Sequence, residues 1–515
     1  MRRVFYGGFS VCLIAILAVA ISHPQNNLIP GKIFFYMLVW VLILCGIKAL
    51  LSLAEQCLVK KGLDVERISR TGLIFYLLFY GVALYIVSLI LRSYPMTDYG
   101  NVYHTAYSLA TGQAVEDWNY FSMWTNNLGI LSILTFCMRV GVLLGFSDPY
   151  YFVLALNVLQ IMAVSVSIFY LAGKIGAGKN AAENRSIARQ WFAILVFTLW
   201  TPVWASTGSF YSDQLSFGGG IIAMALFLYG CSRHGIKKWF VLAAAGVAWG
   251  IGIAAKATAA VGVVALVIAV LMAGRRGWQV WRELLVMGLL IILSMGLLLE
   301  VSNHYPSKAD EYRLETPTEY WIAMGLMGNG TYADNAYLIK ECNYSQNVDK
   351  RREFCRRMIR ENWTNLFDAG HLVDKASVIF GEGSISPTSH MYPYEESILW
   401  HFLYWEGDYY WQYSCLSTGF FYAVLFLTLA GTLCRTFKKE ENDFVFMSYL
   451  TVFGVFLFLM LWEAQNKQLY NHIPWMTVTA VCGLESLGDY AIMTISRLKV
   501  SYENRGEGRR GHVGK

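Results

Sequence analysis

The first residue in this chain placed to do chemistry is a carboxylate just past a membrane exit. Asp98 lies in LRSYPMTDYGNVYHTAYSLATGQ, residues 91–113, directly after an apolar run, 71–91, long enough to cross a bilayer. Tyr99, Tyr103, Tyr107 and Leu109 follow, then Gly112, the pattern of a short amphipathic helix on a membrane surface with a glycine stop. Held there, Asp98 can act as a general base towards a hydroxyl group. The plain alternative is a solvated loop aspartate.

Three more stretches carry comparable groups. Tyr211-Ser212-Asp213-Gln214 puts a carboxylate at the mouth of a span, after Trp200-Thr201-Pro202, where it is either functional or a helix cap. Lys256 ends the small-residue run Trp249-Gly250-Ile251-Gly252-Ile253-Ala254-Ala255 inside a long apolar region. An ionisable group there is expensive, so a functional role is the default, and a lysine at the outer end of a turn suits a lipid phosphate. The alternative is a lysine snorkelling at a helix end. Trp462-Glu463-Ala464-Gln465-Asn466-Lys467-Gln468-Leu469-Tyr470-Asn471-His472 is wedged between two apolar spans, and a plain interfacial turn accounts for only part of it.

The elements positioning these residues are membrane helices. The 515-residue chain is 56% hydrophobic and 15% charged, with a mean hydropathy of +0.42, which excludes a soluble enzyme. Its net charge of +6 gathers in short loops and the tail, the positive-inside signature rather than a nucleic-acid patch. Arg2-Arg3 and the apolar run to Ile21 predict a retained first anchor. Spans are predicted at 4–22, 32–54, 71–91, 127–145, 150–172, 190–206, 214–231, 239–255, 257–274, 284–302, 413–434, 444–462 and 473–493, making 12 or 13 helices. Basic loops after 60, 174, 233, 275 and 435 lie inside, with the Asp98 loop outside. Two spans between the Asp98 and Lys174 loops then break the alternation. Either 127–172 holds an interfacial or re-entrant piece, or one loop is on the wrong side.

The domain reading follows. Two N-terminal helices fill 1–70, and a core of spans fills 71–302 with the external loop 92–126. An extracytoplasmic segment of mixed structure covers 303–412, C-terminal spans 413–493, and a basic, disordered cytoplasmic tail 494–515. Within the external segment 350–366 reads as an amphipathic helix, and Cys342 and Cys355 either pair or stay as thiols. Zinc-protease, Walker A and serine-hydrolase motifs are lacking, and His371, His390 and His401 are too scattered to suggest a metal site. No cofactor is called for, although carboxylates alone leave a divalent metal open.

These residues resemble the GT-C superfamily of integral membrane glycosyltransferases, in particular bacterial relatives of protein O-mannosyltransferases and aminoarabinose transferases. The resemblance runs over roughly 71–493. It rests on Asp98, Tyr103 and Gly112; on Asn126-Asn127-Leu128-Gly129; on Pro202 with Asp213; on Gly250 to Lys256; on Pro317-Thr318-Glu319-Tyr320-Trp321-Ile322-Ala323-Met324-Gly325-Leu326; and on Glu463, Tyr470 and Pro474. The closing motif departs from the family, because its arginine position reads Gln468 or Leu469.

The resemblance implies an all-α, GT-C-like bundle in a bacterial plasma membrane with an outward-facing site. It implies transfer of a sugar, with inversion, from a polyprenyl-phosphate donor to the hydroxyl of an external glycan, protein or lipid. Asp98 would be the base and Asp213 a second catalytic carboxylate; Lys256, Lys467 and His472 would hold the donor phosphate. Tyr103, Tyr211, Glu463 and Tyr470 would bind substrate. The rival readings are a transporter or flippase for lipid-linked saccharides and a non-catalytic assembly subunit.

Overall fold

In a computed structural model, residues 1–115, 118–176, 186–274, 277–303, 315–344, 347–385, 392–437 and 442–488 are described. The protein is an all-α bundle of membrane-spanning helices with an extramembrane helical region. Ten helices among the described residues are long and apolar enough to cross a bilayer, and Ile187–Thr198 and Ala257–Met272 are shorter apolar helices. A further helix runs through 473–488. The predicted tail, 494–515, lies outside the described residues.

Two sets of contacts define two faces of the bundle. On one, Arg2 pairs with Asp443 at 2.5 Å, Lys48 and Arg189 converge on Glu485 at 2.5 and 3.4 Å, and Asn442 donates to the Lys174 carbonyl at 2.7 Å. On the other, Gln25 donates to Ser377 and Asn26 to Glu382, each across more than 350 residues of chain. The two N-terminal helices, Arg2–Ser22 and Pro30–Lys60, are not peripheral. Both pack on Tyr410–Phe437, through Ser10 to Thr432 at 2.8 Å, Tyr422 to the Ala20 carbonyl at 2.7 Å and Trp40 to the Leu416 carbonyl at 3.0 Å.

The predicted span 127–145 does not cross. Helix Leu128–Leu143 begins at Asn127, tied to Tyr120 and Tyr211, and leads to Asp148, which pairs with Arg92 at 2.5 Å. Both ends therefore sit on the face of the Asp98 loop. Along its length Arg139 donates to the Leu109 carbonyl at 3.2 Å, so it lies beside helix Thr97–Thr111. Counted from Thr125 it is one of the ten helices long and apolar enough to cross, so it is the position of its two ends that sets it apart. Removing this one crossing from the thirteen predicted spans restores the alternation of sides. Hydropathy could not reveal this, because an apolar helix lying in the interface reads like one that crosses.

The predicted span 190–206 is also shorter. The helix stops at Thr198, and a one-turn helix, Thr201–Ala205, starts with Pro202, whose ring suits a first turn but not a helix interior. The chain then runs through 206–211 to Ser212–Phe217 and Gly219–Cys231. Buried Asn157 secures this irregular stretch by donating to the carbonyls of Thr207 and Ser209 at 3.3 and 3.1 Å. Gln160 does the same for Gln214 and Leu215 at 2.8 and 3.0 Å. Non-helical backbone at this depth is tolerable only when its polar groups find partners in this way.

The extramembrane segment is largely helical: Thr318–Leu326, Ala336–Tyr344, Val348–Asn362, Ala369–Phe380 and Ile398–Leu403. Among the described residues its one strand pairing is antiparallel, joining Ser93–Tyr94 of the Asp98 loop to Tyr392–Pro393. The amphipathic helix predicted at 350–366 forms as Val348–Asn362, capped by Asn347, and buries Arg351, Cys355 and Met358 against Thr318–Leu326. The side chains of Cys342 and Cys355 meet with their sulfurs 3.5 Å apart. The Cys355 thiol facing Cys342 holds Cys342 below the usual thiol range. A disulfide oxidant should close this pair, each sulfur losing a proton and the pair two electrons. The chain would lose the mass of two hydrogens and gain about 3 kcal/mol of stability, and Cys342→Ser should show neither change.

Lys375 joins this segment to the bundle. Fully buried on Ala369–Phe380, it donates to the carbonyls of Gly325 at 2.5 Å and Met460 at 2.9 Å. Burial pushes its pKa down to about 7. The unfolded chain then holds one more proton than the native one from about pH 7 to the normal lysine range near 10.4. This group's contribution to stability should therefore rise with pH across that window, by at most about 1.4 kcal/mol per unit. Thermal unfolding of the purified protein between pH 7 and 9 would show the slope, and Lys375→Met should flatten it.

Candidate functional site

The site is assembled where the Asp98 loop meets three breaks in the helices. Two glycines permit the approach. A Cβ on Gly208 would lie 2.0 Å from the Leu91 carbonyl oxygen, so only glycine lets the 206–211 stretch lie against 91–93, where Ser93 N–H donates to the Gly208 carbonyl at 3.0 Å. A Cβ on Gly129 would lie 2.2 Å from the Ala254 oxygen, so the start of the interfacial helix can reach the end of Gly235–Ala255.

Asp98 stands in the first turn of Thr97–Thr111, exposed, where a helix N-terminus favours a negative charge. A directional chain of hydrogen bonds lies beside it. The Tyr211 hydroxyl donates to Asn127 Oδ1 at 3.1 Å and Asn127 Nδ2 donates to the Tyr120 hydroxyl at 2.6 Å, while the Tyr120 hydroxyl feels the Asp98 charge. Burial first, and then the negative charges of neighbours including Asp98, push the Tyr120 and Tyr211 hydroxyls well above the ordinary tyrosine range. Both stay protonated and act as donors. Tyr211 is also the N-cap of Ser212–Phe217, in a capping box with Gln214.

Asp213 and Lys256 form an ion pair, with the Asp213 side chain 3% and the Lys256 side chain 18% exposed. The carboxylate is thus committed to holding the ammonium, while the ammonium keeps an open side. Lys256 itself ends helix Gly235–Ala255 in extended conformation, which turns its side chain out of the helix.

The last loop supplies the far wall. Glu463 is buried, and burial raises its pKa; Lys467 and Lys256 pull it back, and Asp98 adds to the rise. One carboxylate thus feels the charges of Lys467, Lys256 and Asp98. His472 is 3% exposed, and burial, then the Lys256 charge, push its pKa down to about 3, so the ring is neutral at physiological pH. Neither of its ring nitrogens has a hydrogen-bond partner. A buried imidazole with both nitrogens unmatched is costly unless something polar meets it.

Asp213 pairs with Lys256, whose charge reaches Glu463 and His472, and the Asp98 charge reaches Tyr211 and Glu463. Tyr103 and Tyr470 are packed among neighbouring rings, and Tyr470 also feels the Asp213 charge. Tyr103 packs among Tyr99, Tyr107 and Tyr150 on the side of the Arg92–Asp148 pair. Tyr470 is 1% exposed, with its ring 4.8 Å from that of Phe217. Their spacing along the chain signals a tyrosine but not the face it presents. Tyr120, Asn127 as a bridging group, and Tyr332, which feels both Asp98 and Glu463, are additions from the structure. The only trace of Tyr120 in the sequence is its place in the aromatic run Trp118-Asn119-Tyr120-Phe121. Glu382 was missed as well: it accepts from Asn26, Tyr410, Ser384 and Ser414 and seats the extramembrane segment on the bundle. No family model and no curated protein matches this chain, so its function is to be argued from the chemistry of the site itself.

Proposed function

We propose that the protein is a membrane glycosyltransferase of the GT-C type, moving a sugar from a polyprenyl-phosphate donor to an acceptor hydroxyl on the outer side of a bacterial plasma membrane. The observation carrying this reading is the pairing of opposite chemistries in one place. The charge of an exposed carboxylate, Asp98, and that of the Lys256 ammonium, which is ion-paired to buried Asp213, both act on Glu463, and the Lys256 charge also acts on the buried neutral imidazole of His472.

The reaction uses each of these. The acceptor oxygen attacks the anomeric carbon and gives its proton to Asp98, whose charge Tyr120 feels. The bond between anomeric carbon and phosphate oxygen breaks, and the electron pair leaves with the polyprenyl phosphate. That group needs cationic stabilisation rather than protonation. Lys256 offers the ammonium donors not taken by Asp213, Lys467 adds charge, and a ring N–H of His472 can donate to a phosphate oxygen. These groups take the load of the missing arginine at Gln468 or Leu469. Direct displacement inverts the anomeric centre.

The test is transfer by the purified protein from a panel of polyprenyl-phosphate sugars, scored as acceptor-dependent release of polyprenyl phosphate. Turnover of one donor supports the reading. If no donor is turned over while vesicles containing the protein move a lipid-linked saccharide between leaflets, the protein is a transporter and this reading fails.

A further inference from the structure

Three tryptophans from distant parts of the chain meet beside the Asp98 site. Trp124 immediately precedes Thr125–Asn127, and its carbonyl accepts from the Asn127 N–H at 3.0 Å. Trp462 immediately precedes Glu463. Trp321 joins them from helix Thr318–Leu326, its ring centre 5.8 Å from that of Trp124 and 6.5 Å from that of Trp462. Backbone contacts fix this meeting. The Thr316 N–H donates to the Met123 carbonyl at 2.9 Å. A Cβ on Gly325 would lie 2.4 Å from the carbonyl oxygens of Leu461 and Trp462, so only glycine lets the helix lie this close. Tyr332, 43% exposed, belongs to the same neighbourhood, since the charges of Asp98 and Glu463 both reach it.

A tryptophan at the end of a span ordinarily belongs to the interfacial belt, with its ring among lipid headgroups. Two observations argue against that here. The three rings touch in series instead of spreading around the bundle. Each is also half-buried, yet no indole N–H of the three has a hydrogen-bond partner among the described residues, and none is closed off from solvent. Tryptophan N–H groups usually find a partner when the ring is buried, so these are unspent donors beside apolar ring faces.

That combination suits a ligand with apolar faces and an edge of hydroxyl acceptors, which is the chemistry of a sugar ring. A lipid chain would leave the donors unmet. An extended peptide is held along a strand edge, and the two strands among the described residues, Ser93–Tyr94 and Tyr392–Pro393, carry none of these rings. Three rings in succession offer more surface than one sugar residue covers, so the fitting ligand is a chain.

We propose that Trp124, Trp321 and Trp462 form a subsite for a saccharide chain running to Tyr332 and Asp98, so that the accepting hydroxyl belongs to a sugar and not to a protein or lipid. The role of that chain as acceptor rests on the transferase reading; its binding does not.

The full chain in detergent is applied to an array of immobilised oligosaccharides of hexoses, N-acetylhexosamines and uronic acids, with serine- and threonine-containing peptides and hydroxyl-bearing lipids printed beside them. At least one glycan should retain the protein, and its free oligosaccharide should compete about ten-fold or more better than the single sugar. Trp321→Ala and Trp124→Ala should each weaken retention about ten-fold, and Trp321→Phe, which keeps a ring, should recover part of the loss. Tyr332→Ala, at an exposed position, should weaken it without disturbing the fold. With a donor that is turned over, Trp321→Ala should raise the acceptor KM about ten-fold and leave the donor KM unchanged. The proposal is overturned if no glycan retains the protein, if peptides or lipids retain it as well as any glycan, or if the tryptophan variants bind like wild type. Donor turnover without glycan retention overturns this inference alone. Retention without turnover of any donor supports the saccharide subsite and overturns the transferase reading.

Discussion

Asp98→Asn should reduce sugar transfer by about 10²- to 10⁴-fold, the contribution of a positioned general base, while leaving donor binding nearly unchanged. The substitution removes the proton acceptor and little else. Asn keeps the size of the side chain, and position 98 is exposed, so no buried charge is stranded. A comparison of kcat with KM then separates a base from a binding group, since loss of a base lowers kcat at constant KM. Unfolding midpoints of variant and wild type should agree closely. Equal activity of the two proteins would remove Asp98 from the mechanism. Tyr120→Phe is the companion measurement: the loss should be smaller, because the tyrosine feels the charge of the base without taking the proton.

The second large effect lies at the Asp213–Lys256 pair. Lys256→Met should destabilise the protein by about 3–5 kcal/mol, because Asp213, 2% exposed, is left as an uncompensated buried carboxylate. Asp213→Asn combined with Lys256→Met should recover much of that stability, since neither charge then remains. Activity should not recover. In the transferase reading the ammonium meets the leaving phosphate, and a neutral side chain at 256 cannot do so however well the pair is repacked. Donor turnover therefore separates catalysis from folding: a double variant that is stable and inactive supports the phosphate role of Lys256, and one that is stable and active assigns the pair a purely structural role. Unfolding in detergent, followed by tryptophan fluorescence or heat, supplies the stability side of the comparison.

Composition and periodicity alone determined that this is a polytopic helical membrane protein, and they located nearly every long helix. A run of about twenty apolar residues has few other solutions in a bilayer, so the signal is local. The same reasoning singled out Asp98, Asp213, Lys256 and the 463–472 loop, because an ionisable or polar group at the edge of an apolar run stands out on composition. Tertiary structure decided three other matters. Helix Leu128–Leu143 stays on one face because Asn127 and Asp148, at its two ends, are both tied to the Asp98 loop. The partnership of Asp213 with Lys256 bridges 43 residues, and that of Tyr211 with Asn127 bridges 84, so no local pattern contains them. Tyr103 and Tyr470 look as available as Tyr211 in one dimension, yet two are packed against neighbouring rings while the third donates into the site. Hydropathy is a property of a segment and survives in the sequence. Which side of a helix faces which neighbour is set by packing between segments far apart in the chain, and that exists only once the bundle has closed.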